Sequence, residues 1–439
     1  MSIDIKNLEY KRESALYTMS DAQQAASHEF SKGYIRFLNH AKTEREAVSE
    51  MVKEAESKGF SDFQKMIEKG GAIKPGTKLY WVNRGKALIL AVVGKDHPVK
   101  GCNMVGAHLD SPRLDFRPNP LYEDHGFALA KTHYYGGIKK YQWVSLPLAI
   151  HGVISKKDGT LIHVRLGESD DDTSFVINDL LPHLANDQME KKAGEAVSAE
   201  NLNLTVGSVP YILENDEKGS RVKYNILKIL HEKYGISERD FNFAELEIVP
   251  AGKARDMGFD RSMILAYGHD DRVCAYPSMM AVLDYEGTPE YTLCCIVTDK
   301  EEIGSVGATG MASHYLENTV AELYACTADY CELAVRRCLR NSRMLSSDVS
   351  AGYDPNFASA FEKKNSAFLG RGICFNKFTG SRGKSGSNDA NPEFMASLRK
   401  IMDDAGVAFQ TAELGRVDLG GGGTIAYLCA KYGMNVIDS

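Results

Sequence analysis

Apolar residues fall in short runs separated by charged stretches of helical texture, the alternation of an α/β protein. Tyr291 to Val297 (Tyr-Thr-Leu-Cys-Cys-Ile-Val) is apolar along nearly its whole length and reads as a buried strand of a mostly parallel sheet. Lys78 to Val82 and Ala87 to Val93 read as two strands joined by a turn at Asn83, Arg84 and Gly85. Ser20 to Phe60 reads as mostly helical, with Ser20 and Asp21 as N-cap and Gly59 as terminator. Leu180 to Glu200, Glu317 to Leu339 and Thr424 to Lys431 are helix-prone, and Met434 to Ile437 reads as a strand. From Pro118 to Val249 the texture changes. THYYGGIKKYQWVSLPLAIHGVI and GTLIHVRLG are β-rich, and strand–helix alternation resumes only after Met263. The expected class is α/β: a mixed, mostly parallel sheet flanked by helices in a discontinuous domain, 1–117 and 250–439, with a β-rich domain inserted at 118–249.

Composition narrows this picture. A chain of 439 residues exceeds one compact core and fits two domains. Hydrophobic content of 43% and charged content of 25% are ordinary for a globular protein. A net charge of -7 argues against general nucleic-acid binding. No apolar run reaches the ~18 residues of a membrane span, and the N-terminal MSIDIKNLEYKRE has no signal-peptide core. The nine cysteines contain no Cys-x-x-Cys word, and Cys294 and Cys295 lie in an apolar run. They read as reduced core residues of a cytoplasmic protein.

Four short words carry candidate chemistry. TDKEEIGS puts Glu301 and Glu302 just after the buried strand, at the edge of an open sheet where active sites sit. Adjacent carboxylates there repel, which makes sense if one binds a metal and the other handles a proton. GAHLDSPRLDF holds His108 and Asp110, whose spacing on an extended segment places both on one face. A ligating imidazole usually donates its other N–H to a carboxylate or carbonyl. GHDDRVCA presents Asp270 and Asp271, and LSSDVSAGYDPNF presents Asp348. Each carboxylate alone reads sooner as a cap or turn residue than as a ligand; the four sites together do not. Oxygen and nitrogen donors without thiolates fit Zn²⁺, with Co²⁺ or Mn²⁺ as substitutes. Asp329, in a helical stretch, and His125, His133 and His151, in the insert, read as structural, and His269 reads as turned away from the site. The run Gly420 to Gly423 lacks the Lys and Ser/Thr of a phosphate-binding loop. Its free N–H groups, Gly422 among them, either meet a substrate oxygen or merely permit close packing. Arg382 and Lys384 lie in the Gly/Ser-rich TGSRGKSGSNDAN, either lining a pocket for an acidic side chain or facing solvent.

The words GAHLDSP, DKEEIGSVGATG, SSDVSAGYDPNF and GSNDAN, with the closing GGGGTIA, resemble the aspartyl aminopeptidase and vacuolar aminopeptidase I family across nearly the whole chain. The resemblance implies a dinuclear zinc aminopeptidase acting on peptides. By motif position His108 and Asp348 resemble ligands of one zinc, Asp270 the carboxylate bridging both, and Glu302 a ligand of the other. Glu301 resembles the general base and Asp110 the partner of His108. A cis peptide often joins the positions of Asp270 and Asp271 in this clan. The insert is implied to be a dimerisation domain within a dodecamer. His183, in LLPHLA, resembles a histidine that reaches the neighbouring subunit's active site. The family's fifth ligand is a histidine shortly after a stretch like the closing GMNVIDS, and no histidine comes after His314 here. A trimmed chain is the favoured account; a substitute ligand or a lost metal are the others.

The expected activity is removal of single N-terminal residues, with acidic residues slightly favoured over neutral ones. An amidohydrolase on the same scaffold would share every metal residue. A catalytically inactive assembly or cargo protein is the reading from another class, and the intact Glu301–Glu302 pair counts against it.

Overall fold

The computed structural model describes residues 5–212 and 219–439; the first four residues of the polar N-terminal stretch lie outside them. Two units emerge: residues 1–37, 46–110 and 269–439 form one, and 38–45 with 111–268 the other.

The first unit is built on a seven-stranded sheet in the order Ser61–Asp62, Lys78–Asn83, Ala87–Val92, Thr292–Thr298, Cys102–His108, Arg343–Ser346, Asn435–Asp438. The last four strands run parallel to one another, so their C-terminal ends open on a single edge. Thr292–Thr298 sits at the centre, antiparallel to Ala87–Val92 on one side and parallel to Cys102–His108 on the other. Its near-continuous burial follows from being covered on both faces, which is why the sequence shows a run and not an alternation. The packing is close enough to require a glycine. A Cβ at Gly106 would collide with the Met344 and Ile296 side chains of the flanking strands. Helices Tyr315–Thr327 and Glu332–Asn341 bury Leu316, Val320, Tyr324, Val335 and Leu339 against Met104, Ile296 and Met344. The continuous helix expected from Glu317 to Leu339 is therefore two helices with a break at 328–331. At the N-terminus Ser20 and Gln23 form a reciprocal cap for helix Asp21–His40: the Gln23 N–H donates to the Ser20 hydroxyl and the Ser20 N–H to the Gln23 side chain. The expected long helix is interrupted at 41–43 before Glu44–Ser57.

The second unit is an antiparallel sheet in the order Leu161–Leu166, Leu148–Ser155, Glu245–Pro250, Arg113–Asp124, Phe127–Tyr135, Asn203–Gly207. Helix Arg221–Tyr234 lies on it through Ile226, Leu227 and Leu230, over a core that includes Leu114, Ile150 and Ile248. The unit extends beyond 118–249 at both ends, because the strand from Arg113 and the hairpin Arg255–Met257 with Met263–Leu265 pack with it. The helix-prone Leu180–Glu200 segment is four short helical pieces.

Candidate active site

The carboxyl ends of three of the parallel strands deliver candidate groups: His108, the Glu301–Glu302 pair and Asp348. His108 ends its strand, and its ring is buried. Its Nδ1 donates to the Asp110 backbone carbonyl at 2.9 Å. A carbonyl only accepts, so the proton of the neutral ring sits on Nδ1 and Nε2 is left as the ligating atom. That Nε2 lies 3.2 Å from an Asp270 carboxylate oxygen and 3.9 Å from oxygens of Glu301 and Asp348. Ligand atoms of His108, Asp270 and Glu302 lie within 4.8 Å of one another, as do those of His108, Glu301 and Asp348.

The two glutamates are placed from below. Asp110, fully buried, accepts the Glu301 N–H on one carboxylate oxygen and the Glu302 N–H on the other, both at 3.1 Å. Lys300 in the left-handed region (φ 71°) turns the chain out of the strand just before them. One carboxylate thus fixes the start of the Glu-Glu turn while its own backbone orients His108. The His-x-Asp spacing indicates a partner for the imidazole; it says nothing of amides some 190 residues downstream.

Asp270 and Asp271 are joined by a cis peptide and keep non-helical backbone before the regular helix that succeeds them. Asp271 is buried beneath the site. Its Oδ2 accepts the His108 N–H at 3.3 Å, and its Oδ1 has no hydrogen-bond partner among the described residues. Asp348 comes just after strand Arg343–Ser346. His269 turns to the Tyr34 hydroxyl, 2.9 Å from Nδ1, and is absent from the cluster.

Charge is unbalanced here. Burial, then the Asp270 charge, pushes Glu302 up to about 8 against the opposing pull of His108. Burial also pushes Asp348 up to about 8, helped by Asp270 and Glu301. Glu301 and Asp271 are raised by burial as well. Burial pulls His108 down, but hydrogen bonds with Asp110 and Asp270 and the charge of Asp271 outweigh it and raise it well above the ordinary value. Carboxylates crowded this far from water call for positive charge. A set of one imidazole and several carboxylates, with the orphaned Asp271 oxygen beneath, fits divalent zinc.

A cavity of about 450 Å³ opens above the cluster. Gly422 lines it, as do Ser350, Asn376, Thr379, Leu414 and Tyr427, none of which the sequence words single out. Asp438 was also missed. It ends its strand as His108 does, so the same edge logic could have found it. Its Oδ1 accepts from the Thr424 hydroxyl at 2.6 Å, its Oδ2 has no hydrogen-bond partner among the described residues, and burial pushes it up to about 7. Arg382 and Lys384 do not line this cavity; they line a neighbouring one. His183 is exposed in the turn Pro182–Leu184 of the second unit. Asp329 is exposed between two helices. His151 pairs with Glu168 at 3.0 Å, and His133 donates to the Tyr134 carbonyl.

The second unit holds another acidic cluster, Glu44, Glu245 and Glu247. Buried Arg113 lies 3.2 Å from Glu247, 3.5 Å from Glu44 and 2.8 Å from Asp115, and Arg45 pairs with Glu245 at 2.6 Å. Each of its three carboxylates already faces a guanidinium, so it reads as an ion-pair network.

A family profile described as aminopeptidase I zinc metalloprotease (M18) matches residues 37–439. A probable M18 family aminopeptidase 1 of Clostridium acetobutylicum is 58% identical over 402 residues, 92% of this chain and 86% of that protein. The crystal structure of an M18-family aminopeptidase from Thermotoga maritima superposes with a TM-score of 0.91 at 43% identity, covering 98% of this chain and 92% of that one. An S. cerevisiae mApe1 dodecamer shares the fold at a TM-score of 0.71 and 20% identity, covering 93% and 88%. The site geometry and these likenesses agree: the chain belongs to the M18 family of zinc metallo-aminopeptidases.

Proposed function

We propose that His108, Asp270, Glu302 and Asp348 hold two zinc ions, with Co²⁺ or Mn²⁺ as substitutes, and that Glu301 is the general base. The observation that carries this is the convergence on His108 Nε2 of carboxylates from three other chain segments, at the edge where four parallel strands end. Bound there, the ions supply Lewis acidity to the scissile carbonyl and acidify a water. Glu301 takes that water's proton and returns it to the leaving amine. Asp110 keeps Glu301 and Glu302 in register with His108. The acidic floor attracts the free ammonium group of a peptide, which suits an exopeptidase.

The side-chain preference supported by the lining is neutral, against the slight acidic preference expected from the loop at 379–391. Among the described residues no Lys or Arg lines the cavity, and its uncharged polar wall is Ser305, Ser350, Asn376, Thr379 and Thr424. An acidic N-terminal side chain would face Asp438 with no lysine or arginine among the described lining residues to pair with it. Leu-anilide should be turned over at least about tenfold faster than Asp-anilide; the reverse order would remove the neutral-pocket reading. Free-amine peptides should be cleaved and N-acylated ones left intact.

Glu301→Gln tests the division of labour between the glutamates. It should keep zinc and lose about 10²–10⁴-fold in kcat, whereas Glu302→Gln should lose zinc as well. Elemental analysis alongside the kinetics separates the two. Loss of metal in both variants would instead make Glu301 a ligand.

The likeness to a protein solved as a dodecamer supports a homo-oligomer; we assign its dimer contact to the antiparallel unit, and light scattering of the chain with and without that unit's surface substitutions tests it. His183 would then serve a neighbouring copy's site. Among the described residues no helix is long and apolar enough to cross a membrane. All nine cysteines are free, which favours a reducing compartment such as the cytoplasm.

A further inference from the structure

Beside the active-site cavity lies a second cavity of about 260 Å³, of opposite charge. The two share Thr379 and Leu414 as a common wall. Two stretches of chain run from one to the other. Gly422 and Gly423 line the active-site cavity while Gly420 and Gly421 line the second, and the segment from Thr379 continues to Arg382 and Lys384 in the second.

The active-site cavity is walled by Asp270, Glu301, Glu302, Asp348 and Asp438 and, among the described residues, by no basic one. The second is walled by Arg382, Lys384 and Arg416 against one acid, Glu413. Lys384 is partly committed, 3.0 Å from Asp389 and 4.0 Å from the Phe378 ring centroid. Arg416 spends one nitrogen on the Ser359 carbonyl at 3.2 Å, which leaves most of its five N–H donors unused. Arg382 makes no hydrogen bond or ion pair among the described residues and is exposed. The Ser385 N–H donates to the Ser381 carbonyl at 2.9 Å, closing the turn that carries Arg382, Gly383 and Lys384.

We propose that this second cavity is a subsite for a carboxylate on the leaving side of the peptide. The inference rests on the aminopeptidase reading of the first cavity. An aminopeptidase substrate has nothing before its first residue, so any peptide backbone that passes Thr379 and Leu414 belongs to the portion that leaves. Guanidinium groups facing a carboxylate across a partly enclosed wall give both charge and directional hydrogen bonding. The enzyme would therefore select peptides by the residues beyond the cleaved bond. The carboxylate is either an acidic side chain at the second or third residue or the C-terminus of a short peptide.

Rates of N-terminal Leu release test this with C-terminally amidated peptides: Leu-Glu-Ala-Ala, Leu-Ala-Glu-Ala and their Gln counterparts. Leu-Ala as free acid and as amide supplies the second arm. At least one pair should favour the carboxylate by about fivefold in kcat/KM, a preference shrinking with added salt. In the double variant Arg382→Gln, Arg416→Gln the ratio should fall to near one; Arg382→Gln alone, at an exposed position, should lower it part-way, and Arg382→Lys should retain more of it. Preference in the amidated set assigns the side chain, and preference only for the free acid assigns the C-terminus. Ratios near one in the unsubstituted chain, or ratios unmoved by the double variant, overturn the subsite. So does a double variant that alters the Asp-anilide to Leu-anilide ratio instead, since the cations would then read the first residue. Leu-anilide carries no leaving-side carboxylate. Its hydrolysis by the unsubstituted chain checks the cleft separately, and its failure would overturn that assignment rather than the subsite alone.

Discussion

One buried side chain, Asp110, sets the geometry of the residues proposed to hold metal. Its two carboxylate oxygens hold the amides of Glu301 and Glu302, while its backbone carbonyl fixes the tautomer of His108. Asp110→Asn keeps the shape but turns one acceptor into an NH₂ donor facing an amide N–H, so one end of the Glu-Glu turn must release. Zinc affinity should fall about 10–100-fold, read by titration against a competing chelator, with kcat lowered further. Unchanged affinity would reduce Asp110 to a packing role. The residues that the structure gathers here were legible in the sequence because a search for metal chemistry limits the choice to His, Asp, Glu and Cys. Asp110's hold on backbone amides was not, since an amide N–H has no residue identity and its partner lies far along the chain. The uncharged wall at Ser350, Asn376 and Thr379 was illegible for a related reason: such residues also fill ordinary loops.

At the level of elements, strands were easier to read than the breaks between helices. The run Tyr291 to Val297 and the pair 78–83 and 87–92 follow from apolar content and a Gly-containing turn. The interruption at 41–43 carries neither Pro nor Gly. It forms because buried Lys42 donates to the carbonyls of Pro250 and Gly252, a tertiary bond no local propensity announces. The same stretch leads into the network around Arg113, where strands Arg113–Asp124 and Glu245–Pro250 pair. Arg113 also stacks on Tyr135 at 3.8 Å. Removing it would leave Glu44 and Glu247 buried without their guanidinium. Arg113→Ala should cost about 3–5 kcal/mol in the second unit, seen as an earlier thermal transition; Arg113→Lys should recover only part, because one ammonium cannot serve three carboxylates at fixed angles. A variant as stable as the parent would mean that those glutamates take up protons without penalty.

For the molecule as a whole, length and texture announced two units, but not that residues 38–45 cross from one into the other. The chain's charge distribution also ties its folding to metal and pH. Without a cation, Glu302 and Asp348 are both pushed up to about 8 from ordinary values near 4, Asp438 is pushed up to about 7, and His108 is raised as well. In every case the folded state binds the proton more tightly than the unfolded chain does. That contribution to stability is complete below the unfolded pKa and disappears as pH rises through the folded one. The metal-free first unit should therefore lose thermal stability steadily between about pH 5 and pH 8.5, by on the order of 5 °C. Zinc acts in the opposite sense, because it needs the ionised carboxylates and the neutral imidazole and displaces their protons. The gain in melting temperature on adding zinc should be larger at pH 8 than at pH 6, with proton release measurable in weakly buffered solution. A metal-free midpoint that is flat or rising over this range, with a zinc effect indifferent to pH, would show that the cluster is wet and already ionised, and that its carboxylates do not need a cation to stay charged.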